Sequence, residues 1–184
     1  MTLTETPICN FGEKAKSFDL LSTTNKKISL NDIKGENGTL IMFICNHCPY
    51  VKAVVKDIAE DTKYLETLGI KSVAIMSNDV KNYPEDSFEN MVSFSKLHNF
   101  SFPYLIDETQ KIAKEYGAVC TPDFFGYNKN LELQYRGRIR ELKNLKPVDK
   151  GNSDLRIAMQ LIATSGKGPK NQIPSMGCNI KWFK

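Results

Sequence analysis

The fold is decided by residues 40–51, whose sequence is LIMFICNHCPYV. Leu40 to Cys45 is the longest apolar run of the chain and has the length of a strand. Because this run is apolar on both faces, we expect a central strand in a sheet that is covered on both sides. Pro49 suits a first helical turn, so a helix is predicted to follow the strand at once.

A helix and a second buried strand continue this stretch. Apolar side chains recur at helical spacing until Gly69, a natural helix stop, and most charged side chains fall on the other side. The apolar positions are Val51, Val54, Val55, Ile58, Leu65 and Leu68. Residues 70–77 then form an apolar strand. Strand, helix and strand within about 40 residues predict a right-handed parallel crossover.

The remaining elements flank this crossover. Residues 1–38 are polar and rich in turns, with one short hairpin predicted around residues 27–30. A second helix is predicted for residues 87–97. Residues 102–106 form a short strand, whose proline indicates an edge or a strand start.

The second half of the chain adds a helix, a hairpin strand and another helix. Asp107 to Gln110 resembles a capping box, with Asp107 as the N-cap of a short helix and Gln110 at its N3 position. Residues 131–135 alternate like the partner strand of a hairpin, and Ser153 caps a last helix. The tail, residues 167–184, is too apolar to extend into water, so we expect it to dock on the domain.

The order of these elements predicts an α/β fold. We expect a mixed central sheet flanked by helices, with an N-terminal hairpin, an inserted αβ element and a C-terminal tail. One domain is expected over residues 1–184, with residues 1–38 as an N-terminal extension and residues 167–184 as the docked tail.

Composition excludes several classes of protein. The chain has 184 residues, of which 41% are hydrophobic and 25% charged, as in ordinary globular proteins. No apolar run approaches the roughly 18 residues of a membrane span. The net charge of +4 comes from scattered basic residues, so neither a membrane nor nucleic acid is expected as a partner. The first residues lack the features of a signal peptide, so a cytoplasmic location is expected.

Cys45 and Cys48 are spaced for redox chemistry. Thiols three residues apart at the start of a helix come within disulfide-bonding reach. Since a helix N-terminus stabilises a thiolate, we expect Cys45 to be an exposed nucleophile with a lowered pKa and Cys48 to be the shielded resolving thiol. His47 is expected to stabilise the Cys45 thiolate further and to raise the reduction potential above the roughly −270 mV of thioredoxin. The alternative is that His47 is simply exposed at a helix end.

A single CxxC pair also occurs in metal sites. The five cysteines are an odd number, which argues against a structural disulfide framework. A structural zinc site normally has four nitrogen or sulfur ligands, and His98, Cys9, Cys120 and Cys178 supply no second spaced pair. The strand–CxxC–helix context therefore favours redox chemistry over metal binding or inert thiols, and neither a cofactor nor a metal is expected.

Thr121 and Pro122 form the second element of the predicted site. They open a buried strand after a helix, where a proline can adopt a cis peptide bond. The exposed backbone of Thr121 would then be free to pair with an extended substrate segment. An ordinary trans turn is the alternative, and it would be preferred without the CxxC pair upstream.

These residues make the chain resemble the thioredoxin-like superfamily, in its AhpC/TSA–TlpA-like branch. Residues 11–20 resemble the leading segment of that branch, and residues 45–52 resemble a bacterial subgroup with a Cys-Asn-His-Cys-Pro active-site block. The other matching stretches are residues 77–79, 102–116, 117–125, 135–139 and 174–182. The resemblance implies that Cys45 is the attacking thiol, Cys48 the resolving thiol and Pro122 the cis-proline.

Two departures limit what the resemblance implies. Thioredoxin has Trp-Cys-Gly-Pro-Cys, whereas here Ile44 replaces the Trp and Asn46-His47 replaces Gly-Pro, so general disulfide reduction is not implied. Peroxiredoxins need a Thr three residues before the peroxidatic Cys, but Met42 holds that place before Cys45, and Cys45 itself holds it before Cys48.

Three functions stay open. The first is a thiol–disulfide oxidoreductase that acts on thiols or disulfides of proteins or small molecules. The second is a thiol peroxidase of the peroxiredoxin type. The third is a Cu(I)-binding protein without exchange activity, with Cys45, Cys48 and either His47 or His98 as ligands. The oligomeric state is not fixed, and a homodimer stays open.

The other thiols have two interpretations each. Cys120 precedes Pro122 by two residues, and the resemblance to the thioredoxin fold implies that this loop faces the CxxC pair, so Cys120 is either a third redox thiol or a small buried hydrophobe. Cys178 lies in the apolar tail, either as an extra resolving thiol or as a packing residue. Cys9 carries no signal, and His98 is expected to face solvent.

Overall fold

The computed structural model describes residues 2–7 and 10–184, and these form twelve strands and four helices. In chain order the strands are β1 (Leu3–Glu5), β2 (Asp19–Ser22), β3 (Lys27–Ser29), β4 (Gly38–Phe43), β5 (Ile70–Met76), β6 (Tyr104–Ile106), β7 (Cys120–Thr121), β8 (Asp123–Asn128), β9 (Leu133–Arg136), β10 (Leu142–Lys143), β11 (Lys146–Pro147) and β12 (Met176–Asn179). The helices are α1 (Pro49–Glu66), α2 (Phe88–Leu97), α3 (Lys111–Tyr116) and α4 (Asp154–Ser165). Across the described ranges, no helix combines the length and the apolar character needed to cross a membrane.

Seven strands form a mixed sheet in the order β3-β2-β6-β5-β4-β8-β9. β4 pairs in parallel with β5 and antiparallel with β8, and all of its residues are buried. α1 connects β4 to β5, as the predicted crossover requires. The mixed α/β architecture and the central position of β4 are therefore confirmed.

Two apolar cores cover the two faces of this sheet. Side chains alternate along a strand, so Leu40 and Met42 join the core that contains the inner face of α1. Ile41 and Phe43 join the second core, which contains Ile112 of α3. This burial on both sides fixes the end of β4, from which the CxxC pair emerges.

α1 begins one residue after the CxxC pair. Cys48 is its N-cap, with φ −62° and ψ 123°, and Pro49 is its first residue. A residue that precedes proline is disfavoured in the α region, so Cys48 stays extended and the helix starts after it. The helix N-terminus therefore lies at Cys48 and not, as the spacing predicted, at Cys45.

The predicted hairpins and the cap of α4 are present. β2 pairs antiparallel with β3 at one edge of the sheet, and β8 pairs antiparallel with β9 at the other. Ser153 Oγ accepts a hydrogen bond from the Arg156 N–H at 2.9 Å at the start of α4. Gly166, with φ 74°, follows the end of this helix.

The capping box predicted for α3 is wrong. The helix begins at Lys111, and Gln110 is its N-cap with φ 61°. Asp107 Oδ2 accepts from the Ala113 N–H at 2.9 Å and from Ser77 Oγ at 3.0 Å. Gln110 Nε2 donates to the carbonyl oxygens of Ser77 and Lys181. Asp107 thus satisfies an N–H of the first helical turn from a position before the N-cap, while the Gln110 side chain contacts the backbone of other elements, so the two do not form the reciprocal box.

The C-terminal tail docks on the rest of the protein, as predicted. β12 lies between β1 and β7 in a three-stranded sheet. This approach requires glycine at position 177, because a Cβ there would lie 2.0 Å from the Thr121 carbonyl oxygen. Ser175 Oγ also donates to the Pro122 carbonyl oxygen at 2.7 Å. The tail therefore forms one wall of the loop that carries Thr121 and Pro122.

Candidate active site

The structure brings the predicted site residues together. Cys45 follows β4, and Cys48 caps α1. Cys45 Sγ lies 3.3 Å from Thr121 Oγ1, and Cys48 Sγ lies 3.1 Å from the Thr121 carbonyl oxygen, to which it donates when it is protonated. The Thr121–Pro122 peptide bond is cis, so the first of the two expected backbone geometries is present.

Cys48 is the thiol with the lowered pKa. Hydrogen bonds from the Cys45 thiol, the Val51 N–H and Cys178 to the thiolate outweigh burial and bring the pKa of Cys48 to about 5. The Val51 N–H belongs to the first turn of α1, where backbone donors have no partner within the helix. The helix N-terminus thus stabilises the Cys48 thiolate.

Cys45 differs from the expectation of an exposed thiol with a lowered pKa. Only 1% of its surface is exposed. Burial raises the pKa of Cys45 well above its ordinary value, and the hydrogen bond to Cys48 and the charge of Asp86 act in the same direction. The expectation failed because Pro49 delays the helix, which places the helix N-terminus at Cys48.

Asp86 is the buried centre of a hydrogen-bond network beside the cysteines. Its Oδ1 accepts from the N–H groups of Asn46 at 2.8 Å and His47 at 3.3 Å. Its Oδ2 accepts from Asn78 Nδ2 at 2.8 Å and lies 2.7 Å from His47 Nδ1. Burial raises the pKa of Asp86, but the hydrogen bonds from His47 and Asn78 outweigh burial and leave the pKa lowered.

His47 is oriented by Asp86. Its hydrogen bond to Asp86 raises the pKa of the imidazole, and the charge of Cys48 adds to this shift. The ring stacks on Tyr83, with centroids 5.7 Å apart and planes inclined by 10°. The interpretation that His47 is simply exposed is wrong. The predicted direct action on the Cys45 thiolate is also corrected, since the close partner of the imidazole is a carboxylate that opposes negative charge on Cys45.

Sequence reasoning missed Asp86, Asn78 and Tyr104. Tyr104 donates to Asn46 Oδ1 at 3.0 Å, and Asn46 Nδ2 donates to the Glu85 carbonyl oxygen at 3.1 Å. One signal could have found Asp86. The parallel strands β4 and β5 end at the same edge of the sheet, so the polar loop after β5 must pass near residues 45–48.

The backbone of Thr121 is not free for a substrate. Thr121 is buried and pairs antiparallel with Cys178 of β12. The expectation of an exposed backbone is therefore wrong, because the tail of the chain itself occupies that edge. Pro122 also lines a cavity of about 160 Å³, together with Tyr50, Val54, Phe124, Arg138, Ile173 and Met176 among others.

Cys120 and Cys178 are both buried, but they have different partners. Cys120 is fully buried, with its thiol 3.6 Å from the Pro122 carbonyl oxygen, and burial raises its pKa. Cys178 is 4% exposed and hydrogen-bonded to Cys48. Cys9 lies outside the described residues.

Cys45, His47 and Asp86 each bring a ligand atom within 4.8 Å of the others, so these three residues could hold a metal ion. His98 is not part of this group. Its ring packs against Phe94 with centroids 4.5 Å apart, and it is half-buried rather than turned to solvent as expected.

Comparison with known proteins places these features in a family. Residues 11–142 match the AhpC/TSA family. The chain is 38% identical to an uncharacterized conserved protein from Geobacillus kaustophilus, with a TM-score of 0.94 over 100% of this chain and 97% of that chain. It matches the thioredoxin domain of a thiol-disulfide oxidoreductase from Bacteroides vulgatus with a TM-score of 0.59 at 14% identity, over 74% of this chain and 91% of that chain. This second likeness shows that the fold is thioredoxin-like.

The chain is also similar to the thiol-disulfide oxidoreductase ResA of Bacillus subtilis, with 26% identity over 117 residues. The match covers 64% of this chain and spans 61% of the length of ResA. The family match covers most of this chain and includes the CxxC pair, Asp86 and the cis-proline. The chain belongs to the AhpC/TSA family.

Proposed function

We propose that the protein is a thiol–disulfide oxidoreductase in which Cys45 and Cys48 alternate between dithiol and disulfide. One observation carries the proposal. The two thiols are hydrogen-bonded to each other, and this bond, together with the Val51 N–H at the start of α1 and the bond to Cys178, lowers the pKa of Cys48 to about 5. The similarity to ResA, which is named for this activity, supports the proposal.

The geometry favours Cys45 as the thiol that meets the substrate. The Cys48 sulfur is enclosed by Cys45, Cys178, the Val51 N–H and the Thr121 carbonyl oxygen. Cys45 is therefore the sulfur that a substrate reaches first. Its attack requires that the proton shared by the two sulfurs pass to Cys48.

The proposed steps balance as ordinary thiol–disulfide exchange. The Cys45 thiolate attacks a substrate disulfide, forms a mixed disulfide and releases one substrate thiolate. Cys48 gives its proton to the released substrate thiolate and attacks the Cys45 sulfur, and the second substrate thiolate leaves and takes a proton from water, so the substrate is reduced and the pair is oxidised. A thiol or dithiol donor must reduce the pair again. Oxidation of a partner runs through the same steps in reverse.

A trapping experiment tests this proposal. Cys48→Ser should accumulate a mixed disulfide at Cys45 with oxidised glutathione, because the resolving thiol is gone. Cys45→Ser should lose the steady-state reduction of a disulfide substrate by dithiothreitol. Cys120→Ser is the matched control, since it removes a buried thiol that is not assigned to the exchange.

Mass spectrometry of the intact protein reads the adduct. An adduct of Cys48→Ser that maps to Cys45, with Cys120→Ser behaving like the wild type, supports the assigned roles. Exchange activity that survives in Cys45→Ser at the wild-type level would overturn them.

A second candidate is a thiol peroxidase, and the position of Cys48 favours it. In this reaction the Cys48 thiolate attacks the O–O bond of a hydroperoxide, which yields a Cys48 sulfenic acid and an alcohol or water. The Cys45 thiol then condenses with the sulfenic acid, releases water and gives the same disulfide. Peroxide consumption that is lost in Cys48→Ser would support this candidate. A rate equal to that of the free reductant would exclude it.

The following expectations concern the substrates, the location and the partners of the protein. We expect substrates that are thiols or disulfides of proteins or small molecules, and a cytoplasmic location. No nucleic acid or membrane partner is expected. A monomer and a homodimer are both compatible with the site, because every residue assigned to it lies in one chain.

A further inference from the structure

Cys178 reaches the active site on a strand and not on a loose tail. In the β7–β12 ladder it lies opposite Thr121, the residue whose carbonyl oxygen is 3.1 Å from Cys48 Sγ. Cys178 is 4% exposed, and β12 packs against α1, which Cys48 caps. The fold thus places a third thiol beside the CxxC pair.

Cys48 has two thiol partners. It is hydrogen-bonded both to Cys45 and to Cys178, and Cys45 and Cys178 each interact with Cys48 in turn. Exchange between two disulfides requires one sulfur that is common to both, and Cys48 can be that sulfur.

Contacts on both sides of Cys178 hold the strand in place. Gly177 fits so closely against Thr121 that a Cβ would lie 2.0 Å from its carbonyl oxygen. Ser175 Oγ donates to the Pro122 carbonyl oxygen at 2.7 Å, and the Lys181 N–H donates to Asn78 Oδ1 at 2.8 Å. Asn78 also binds Asp86, so the hydrogen bonds that hold the tail continue into the network of the active site.

We propose that Cys178 is a third redox-active thiol, which exchanges with Cys45 for the disulfide bond to Cys48. The inference rests on the proposed exchange activity of the CxxC pair. The oxidised protein would then have two forms. One contains the Cys45–Cys48 disulfide, and the other contains the Cys48–Cys178 disulfide with Cys45 as a thiol.

The exchange conserves atoms and electrons. The Cys178 sulfur attacks Cys48 Sγ of the Cys45–Cys48 disulfide, the Cys48–Cys178 bond forms, and the Cys45–Cys48 bond breaks. The proton of Cys178 ends on Cys45, whose sulfur lies 3.3 Å from the Thr121 hydroxyl. No further oxidant is needed, because the substrate that oxidised the first pair has already accepted the electrons.

The proton transfer predicts how the exchange depends on pH. Burial raises the pKa of the Cys178 thiol and acts in the disulfide form as well, in which Cys48 carries no charge, while the charge of Lys181 acts in the opposite direction. Cys178 is therefore protonated at neutral pH, and the thiolate that attacks becomes more abundant as the pH rises. The rate of exchange should increase with pH.

Disulfide mapping of Cys45→Ala tests the proposal. The variant keeps the complete chain and leaves Cys48 with one adjacent thiol. It is oxidised with diamide, alkylated, digested with trypsin and analysed by mass spectrometry. Cys48 and Cys178 fall in separate tryptic peptides, residues 35–52 and 171–181, and Cys120 falls in a third.

The expected product is a cross-link between peptides 35–52 and 171–181. The cross-link should be lost in Cys45→Ala/Cys178→Ser and retained in Cys45→Ala/Cys120→Ser. Alkylation of Cys178 in Cys45→Ala at every diamide concentration, without the cross-link, would overturn the proposal. A cross-link from Cys48 to Cys120 in its place would do the same.

The wild-type chain separates this outcome from failure of the proposed function. Peptide 35–52 contains both Cys45 and Cys48, so their disulfide appears in it as the loss of two hydrogens. If this disulfide forms and the cross-link to Cys178 does not, only the third thiol is rejected. If neither forms, the exchange function itself is rejected.

Discussion

The two cysteines of the CxxC pair, Cys45 and Cys48, have opposite electrostatic surroundings. Cys48 receives a backbone N–H of α1 and a hydrogen bond from Cys178, whereas Cys45 lies near the buried carboxylate of Asp86. The first setting favours a thiolate and the second opposes it. At neutral pH, therefore, the negative charge of the pair resides on Cys48.

This assignment predicts one titration near pH 5. The ultraviolet absorbance of the thiolate should rise in the reduced wild type with a midpoint near the pKa of Cys48, about 5. Cys48→Ser should lose this transition, and Cys120→Ser should keep it, because burial raises the pKa of Cys120. A midpoint near the ordinary value of a free thiol, about 8.5, would contradict the assignment.

Asp86→Asn tests the buried carboxylate. The substitution removes the negative charge that raises the pKa of His47, so this pKa should fall in the variant. The amide also leaves some of the donors that now face Asp86 without an acceptor, at a cost of about 1–3 kcal/mol in the free energy of unfolding. Proton NMR measures the imidazole titration, and His98 is the internal reference because it is the other histidine of the chain.

Glu85→Gln is the matched control for that experiment. Glu85 is exposed and contacts Asn46 through its backbone carbonyl group, so its side chain should not affect either histidine. An unchanged pKa of His47 in Asp86→Asn would show that the carboxylate does not control the imidazole.

At the scale of elements, β12 holds the loop of the active site that contains Thr121 and Pro122. It supplies the strand that pairs with Thr121, so the loop of the cis-proline is packed on two sides. Gly177 is the position at which this packing is tightest, since its backbone lies against the Thr121 carbonyl group.

Gly177→Ala should therefore destabilise the protein. The added methyl group must displace β12 or the loop of Thr121, and overpacking of this kind typically costs about 1–3 kcal/mol. Chemical denaturation measures the loss, and alkylation of Cys178 should become faster as the strand moves away. Gly151→Ala is the control, because a Cβ there would come no closer than 3.4 Å to Asp149 Oδ1. Equal stability of the two variants would mean that the tail does not pack as described.

Local sequence patterns predict elements well in this chain and contacts between elements less well. The apolar run of β4, the helical spacing after Pro49 and the cap at Ser153 act within a few residues, and the structure contains each of them. Asp107 and Gln110 also look like a local capping box, and Asp107 does accept from the Ala113 N–H of α3, but it also accepts from Ser77, and Gln110 donates to Ser77 and Lys181. A pattern within one segment cannot show such partners.

The same limit applies to the active site. The CxxC pair and Thr121-Pro122 were identifiable because the residues that act are adjacent in the sequence. Asp86 lies far from the pair in sequence, and only the shared edge of β4 and β5 brings it near. The N-cap position of Cys48, by contrast, could have been predicted from the sequence. The residue before a proline is disfavoured in the α region, and this restriction is sufficient to place Cys48 at the N-cap.

At the scale of the whole molecule, the reactive sulfurs are enclosed. Cys45 is 1% exposed and Cys48 is fully buried, and β12 covers the edge of the sheet at Thr121. The apolar cavity beside Pro122 is lined by Arg138 and Arg140 among others, and neither cysteine is part of its lining. The enclosure restricts the access of a substrate to Cys45, and it does not prevent the two thiols from bonding to each other.

The most direct test is the equilibrium reduction potential of the Cys45–Cys48 pair, measured by thiol trapping in glutathione buffers without metal ions. A stabilised thiolate at Cys48 favours the reduced form. We therefore expect a reversible transition at a potential above that of thioredoxin, about −270 mV. A pair that stays reduced in the most oxidising buffer would contradict the assignment of exchange chemistry to this site.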